Sequence, residues 1–145
     1  MKFVAQRVNG ATLSVNGQLV SEIGRGLVVY FGVKVGDNEK QADKCAEKIA
    51  NLRIFEDEAG KMNLSVKDVG GEVLFVSQFT LYGDCRKGNR PSFTEAERPE
   101  RANPLYEYAA GKLREQGVPV KLGVFGADMR ICQENQGPVT IIYEI

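Results

Sequence analysis

Residues 72–82, EVLFVSQFTLY, are the densest β-forming stretch of the chain, and the fold is read outward from them. The run predicts a strand over Glu72 to Tyr82. Alternation then places Val73, Phe75, Ser77 and Phe79 on one face and Leu74, Val76, Gln78 and Thr80 on the other. Both faces are apolar up to residue 76, so both must be covered. Beyond it, polar groups interrupt both faces. Two readings of Ser77-Gln78-Phe79-Thr80 stay open on pattern alone: a half-buried sheet edge, or a substrate site built on a rigid strand.

A second apolar run, Leu27 to Val33 (LVVYFGV), is bounded by glycines and reads as another strand covered on both faces. Upstream, residues 2–8 and 11–15 read as strands, and Asn16-Gly17 fits a two-residue hairpin. From Asn38 to Leu52 the apolar residues Ala42, Cys45, Ala46, Ile49 and Leu52 recur every three or four positions. That spacing gives one buried helical stripe, which Asp37 or Asn38 can cap. Glu58-Ala59-Gly60 marks a turn, with a strand pair expected after it. Downstream, residues 83–103 are polar and irregular, and ordered loops of this length are often functional. Asn103-Pro104 supplies a cap and a first-turn proline for a helix ending at Gly117, with strands near 119–124 and 138–144 completing the chain. The pattern is α+β: two helices packed on a curved, mostly antiparallel, barrel-like sheet in a single domain spanning residues 1–145.

Composition narrows the function. A chain of 145 residues can bury roughly 70% of its unfolded surface, so neither metal nor disulfide is needed to hold it. No apolar stretch reaches membrane-spanning length and the N-terminus lacks a signal-peptide core, so residence in the cytoplasm is expected, with no membrane partner. Cys45, Cys85 and Cys132 are scattered, which suits reduced thiols. The formal net charge is zero, so contact with nucleic acid must come from a local patch. The chain has no histidine, which excludes Ser-His-Asp and Cys-His nucleophilic sites and every histidine-ligated metal centre. A threonine nucleophile at position 80 would have only carboxylates, lysines or the substrate itself as base. No metal or other cofactor is expected.

Four further features each carry a plain and a functional reading. In Asn135-Gln136-Gly137-Pro138-Val139-Thr140 the proline opens an apolar terminal strand; as only about 5 to 6% of such bonds are cis, residue type alone favours trans. Arg7, inside an apolar strand, reads more readily as a snorkelling surface side chain than as a buried donor. Arg86-Lys87-Gly88-Asn89-Arg90 is either a solvated basic loop or a phosphate contact. Phe125-Gly126-Ala127-Asp128-Met129 reads as ordinary packing around a turn. The glycines fit no phosphate-binding loop.

Taken in order, these segments resemble the D-aminoacyl-tRNA deacylase family from end to end. The resemblance is carried by Gln6-Arg7-Val8, the run from Glu47 to Phe55, residues 60–63 (GKMN), Ser77 to Tyr82, Arg90-Pro91-Ser92-Phe93, Phe125 to Met129 and Gly137 to Thr140. Gln136 departs from it, where many members carry Asp.

The resemblance implies a homodimer whose active sites lie at the subunit interface, with Gly137-Pro138 as a cis peptide reaching into the partner's pocket beside Ser77, Gln78, Phe79 and Thr80. Fixed main-chain carbonyls would hold the substrate ammonium and leave no room for an L side chain. Gly137, Pro138, Met129 and Arg7 are thus assigned to substrate and chiral selection, with Arg7 clamping the neighbourhood of the cis peptide. The substrate implied is the 3′ end of D-aminoacyl-tRNA, together with glycine mischarged on alanine tRNA, and the 2′-hydroxyl of the terminal adenosine assists attack of water. Main-chain N–H groups around Phe79 and Thr80 are the natural oxyanion donors, and Arg86, Lys87 and Arg90 are assigned to tRNA. Three other readings compete: a nucleic-acid-binding module without catalysis, a sister deacylase with relaxed chirality, and a purely structural dimer.

Overall fold

The structure is a computed structural model describing residues Met1–Ile145. Its organising element is β1 (Lys2–Val15), a single 14-residue strand where two were expected. One edge of β1 serves two partners in turn: residues 2–8 pair antiparallel with β3 (Gly26–Gly32), and residues 11–15 pair with β2 (Gln18–Ile23). Its other edge carries β8 (Arg130–Glu144) along nearly its whole length. Register shifts at Gln6/Val8 and Val8/Gly10 against β8 bend the strand, so one element turns the corner between two sets of neighbours. The β1–β2 hairpin turns on Asn16-Gly17 as expected, with φ of 51° and 78° at the two positions.

From β3 the sheet continues in parallel to β6 (Glu72–Ser77) and β7 (Val120–Leu122), giving the order β2-β1-β3-β6-β7. The Ser21 hydroxyl on β2 donates to the Leu122 carbonyl on β7, 2.7 Å away, drawing the sheet's ends together into a nearly closed barrel. The sheet is therefore mixed. Its antiparallel part combines the local β1–β2 hairpin with pairings of β1 to β3 and to the C-terminal β8, and its parallel part is built from crossovers through the helices.

Both faces of β3 and β6 are buried, as their continuous apolar runs predict. Leu27, Val29, Phe31, Val73 and Phe75 belong to the larger core under the helices, while Val28, Leu74 and Val76 join Val8, Ala11, Leu13 and Ile23 on the opposite face. Helix α1 (Glu39–Asn51) buries Ala42, Cys45, Ala46, Ile49 and Ala50. Its cap is Asn38, which accepts from the Lys40 N–H while Gln41 returns a bond to the Asn38 N–H. Asp37, the other capping candidate, instead pairs with the buried Met1 α-ammonium at 2.7 Å.

Three boundaries differ from expectation. The strand begun at Glu72 stops at Ser77; Phe79–Tyr82 form a 3₁₀ turn, so the predicted alternation fails beyond Ser77. Helix α2 (Pro99–Glu115) starts before Asn103 because Pro99 already supplies the first-turn proline. Pro104 then lies inside a helix held by the buried stripe Ala102, Tyr106, Ala109, Ala110 and Leu113. β8 begins at Arg130, so Gly137-Pro138 sits within the strand at its irregular register, where no ladder bond is asked of the proline. The turn at residues 58–60 is flanked, not followed, by a short strand pair, β4 (Phe55–Glu56) and β5 (Met62–Leu64). No helix is long and apolar enough to cross a membrane.

Candidate active site

The end of β6 opens into a cavity of about 620 Å³ bounded by the 3₁₀ turn, the start of α2 and the segment between β7 and β8. Ser77, Gln78 and Phe79 line it, with Met129 and Phe125 opposite and Tyr106 beneath. Residue position explains each contribution. Ser77 is the last residue of β6, and the Gln78 N–H donates to the Phe31 carbonyl at 2.8 Å, prolonging the pairing with β3 by one rung. The chain then tightens, and the Leu81 N–H donates to the Gln78 carbonyl at 3.3 Å. This turn leaves Phe79 56% exposed at the cavity mouth. Thr80 is exposed and outside the lining; its hydroxyl accepts from Gln78 Nε2. The floor is rigid: Tyr106 is stacked on Phe75 with centroids 5.2 Å apart and donates its hydroxyl to the Phe75 carbonyl at 2.6 Å. Burial pushes its phenol well up, so it is a neutral donor.

The cavity is mostly apolar, with Glu97 as a charged group in its wall. The main-chain N–H of Arg98 holds the Glu97 carboxyl below its ordinary value, helped by the Gly36 N–H and the Arg101 guanidinium. The side chain is only 6% exposed. Its bonds tie the residues before α2 to the turn after β3, which shapes the wall.

Arg7 and Gly137-Pro138 lie elsewhere. Arg7 is buried, 4% exposed, correcting the expectation of a snorkelling side chain. Its Nη1 donates to the Ile54 carbonyl at 2.7 Å and its Nε to the Gln136 carbonyl at 3.2 Å, because the irregular register at Gln6/Val8 turns it under β8. The Gly137-Pro138 bond is cis, against the residue-type preference. Gly137 has φ of 122°, and a Cβ there would approach Val139 and the Arg7 guanidinium to between 3.0 and 3.2 Å, so only glycine fits. Both residues are exposed on a strand whose outer edge pairs with nothing in the chain.

The basic loop is tethered at its base, where the N–H and carbonyl groups of Asp84 and Ser92 exchange bonds of 2.8 and 2.9 Å. Arg86 is held by Asp84 through Nε and Nη2, both at 2.9 Å, and this pairing pulls the Asp84 carboxyl down to about 2. Lys87 and Arg90 are exposed and make no ion pair.

The chain that builds this cavity is similar to known proteins over its whole length. The model of the D-Tyr-tRNA(Tyr) deacylase family matches residues 4–144. The chain belongs to that family. It is 57% identical over 144 residues to a D-aminoacyl-tRNA deacylase of Geotalea daltonii, covering 99% of this chain and 96% of the relative. It is 56% identical to one of Brevibacillus brevis, covering 99% of each. Among solved structures it is similar to one titled c-Myc DNA Unwinding Element Binding Protein, with 43% identity, a TM-score of 0.94, and coverage of 100% of this chain and 99% of that one. It also shares its fold with a probable eukaryotic D-amino acid tRNA deacylase, at 20% identity and a TM-score of 0.85, over 99% and 98% of the two chains.

Within this family framework, sequence reasoning missed Phe93, Glu97, Tyr106 and Phe125 as cavity residues. The signal for Phe93 and Phe125 was present, since each lies in a family-like run, but nothing in the spacing placed those runs against Ser77.

Proposed function

We propose that the chain removes D-amino acids, and glycine mischarged on alanine tRNA, from the 3′ end of tRNA, discriminating against L-esters by a site shared between two copies of the chain. Family membership at this identity makes it a D-aminoacyl-tRNA deacylase, a hydrolase of ester bonds. The observation that carries the finer reading is the convergence of Ser77, Gln78, Phe79 and Met129 on one cavity, with Phe79 and Thr80 opening a 3₁₀ turn. The first N–H groups of such a turn have no partner inside it, so those of Phe79 and Thr80 are suited to a developing oxyanion. With no histidine in the chain, the substrate's own 2′-hydroxyl is the simplest group to assist water. Thr80 positions Gln78 and is not acylated.

Chiral selection belongs to Gly137-Pro138, held through Gln136 by Arg7. The pair lies outside the cavity formed by its own chain, and an exposed strand edge is available beside it. These two facts support a homodimer in which each copy's β8 completes the other's site. Lys87 and Arg90 contact tRNA, with Arg86 ordered behind Asp84. The protein acts in the cytoplasm.

One observation favours a second reading, nucleic-acid binding without hydrolysis: the relative titled as a DNA unwinding element binding protein. The test is release of free amino acid from D-aminoacyl-tRNA beside binding of uncharged tRNA and of DNA. Turnover of the ester supports the deacylase. Tight DNA binding without release of amino acid supports the second reading.

A further inference from the structure

Phe79 and Phe93 form an exposed aromatic pair at the cavity mouth, 56% and 36% exposed, with ring centroids 5.1 Å apart at 68°. Two large apolar rings left in water on a protein with a well-filled core call for a partner. The rings are held in place. Phe93 follows the Asp84–Ser92 bridge directly, and Gly83 packs so closely that a Cβ there would come within 3.1 Å of the Phe93 ring. Both residues also line the cavity, so whatever covers the pair is continuous with the cavity's occupant. Lys87 and Arg90, unpaired, lie in the loop that the bridge closes, and Arg98, also without an ion pair, lines the same cavity. Flat rings that share a cavity lining with an unpaired arginine, on a chain of zero net charge, suit a single-stranded nucleic acid, whose bases stack while its phosphates are neutralised.

We infer that the Phe79–Phe93 pair is a stacking platform for the base of the nucleotide that precedes the esterified adenosine. This rests on the deacylase reading of the cavity. The platform explains how a mostly apolar site recognises a tRNA end without a strongly basic surface: one stacked base adds binding that a lone adenosine ester cannot supply. Phe93 is a positioning residue, since it acts by orienting the strand that carries the ester.

The chain contains no tryptophan, so Phe93→Trp introduces a single reporter ring at the platform. Its fluorescence is expected to be quenched by a trinucleotide ending in CCA with a non-hydrolysable D-aminoacyl amide, and not by the corresponding D-aminoacyl-adenosine amide. In parallel, Phe93→Leu is expected to lose about tenfold in kcat/KM on D-aminoacyl-trinucleotide relative to D-aminoacyl-adenosine, the size of one stacking contact, with the loss restored in Phe93→Trp. Equal quenching by the two amides would overturn the inference, because the ring would then meet the amino acid or the terminal adenosine. An equal loss on both esters, or no loss on either, would also overturn it. Should wild-type protein hydrolyse neither the trinucleotide ester nor the adenosine ester, the deacylase reading falls while trinucleotide quenching still decides the platform.

Discussion

Arg7 donates from Nε to the main-chain carbonyl of Gln136, 3.2 Å away, and so fixes the chain one residue ahead of the Gly137-Pro138 bond. Its other bond, to the Ile54 carbonyl, anchors the guanidinium to the segment after α1. Arg7→Ala would strand two carbonyls, and stability is expected to fall by about 2 to 4 kcal/mol. Urea unfolding measures this, and hydrolysis of an L-aminoacyl-tRNA measures the accompanying loss of chiral selectivity. Unchanged stability together with unchanged rejection of the L-ester would remove Arg7 from the site.

Thr80 is exposed and engaged with Gln78, a geometry that positions a side chain and offers no base to activate a hydroxyl. Thr80→Ala is therefore expected to keep its activity within about fivefold of wild type, the cost of one modest hydrogen bond. Steady-state hydrolysis of D-aminoacyl-tRNA checks the rate. Mass spectrometry of quenched reactions checks for an ester on Thr80, and finding one would establish covalent catalysis instead.

Much of the fold was legible in the sequence because its signals are local. The helix cap at Asp37 or Asn38, the Asn16-Gly17 hairpin and the doubly apolar runs of β3 and β6 need no distant partner to be recognised. The errors arose where tertiary context decides. The strand from Glu72 ends at Ser77 because β3 itself ends at Gly32, leaving nothing beyond for Phe79 to pair with. Arg7 is buried because register shifts turn it beneath β8, which no count along β1 reveals. In the site, the Ser77–Thr80 interruption was visible, whereas its apposition to Phe125 and Met129 depends on how the segment between β7 and β8 returns across the cavity.

Glu97 is one of the carboxylates that the fold holds below the ordinary value. Its carboxyl is held below the ordinary value of 4.5 by the Arg98 N–H in the folded state, so its contribution is complete above that value. The contribution is lost as the pH falls through the lower folded value. Glu97→Gln is expected to lower stability at pH 7 and to flatten the decline of the melting temperature below about pH 4.5. A variant whose acid limb parallels that of wild type would show that other carboxylates, such as Asp68, carry the effect.

Lys87 and Arg90 are the loop's unpaired cations, while Arg86 is neutralised by Asp84. Replacing both by alanine is expected to weaken tRNA binding and reduce the slope of log affinity against log salt by about 1.4, near 0.7 for each single-strand phosphate left without its cation. Arg86→Ala is expected to change that slope far less. Equal effects from Arg86 and Arg90 would mean that the Asp84 pair opens on binding.

The most direct test of the central claim is the pair of first-order rates for hydrolysis of D-Tyr-tRNA and L-Tyr-tRNA by the purified protein with chelator present. Rapid loss of the D-ester is expected while the L-ester decays at its spontaneous rate. Cleavage of both esters at similar rates, or of neither, would contradict it.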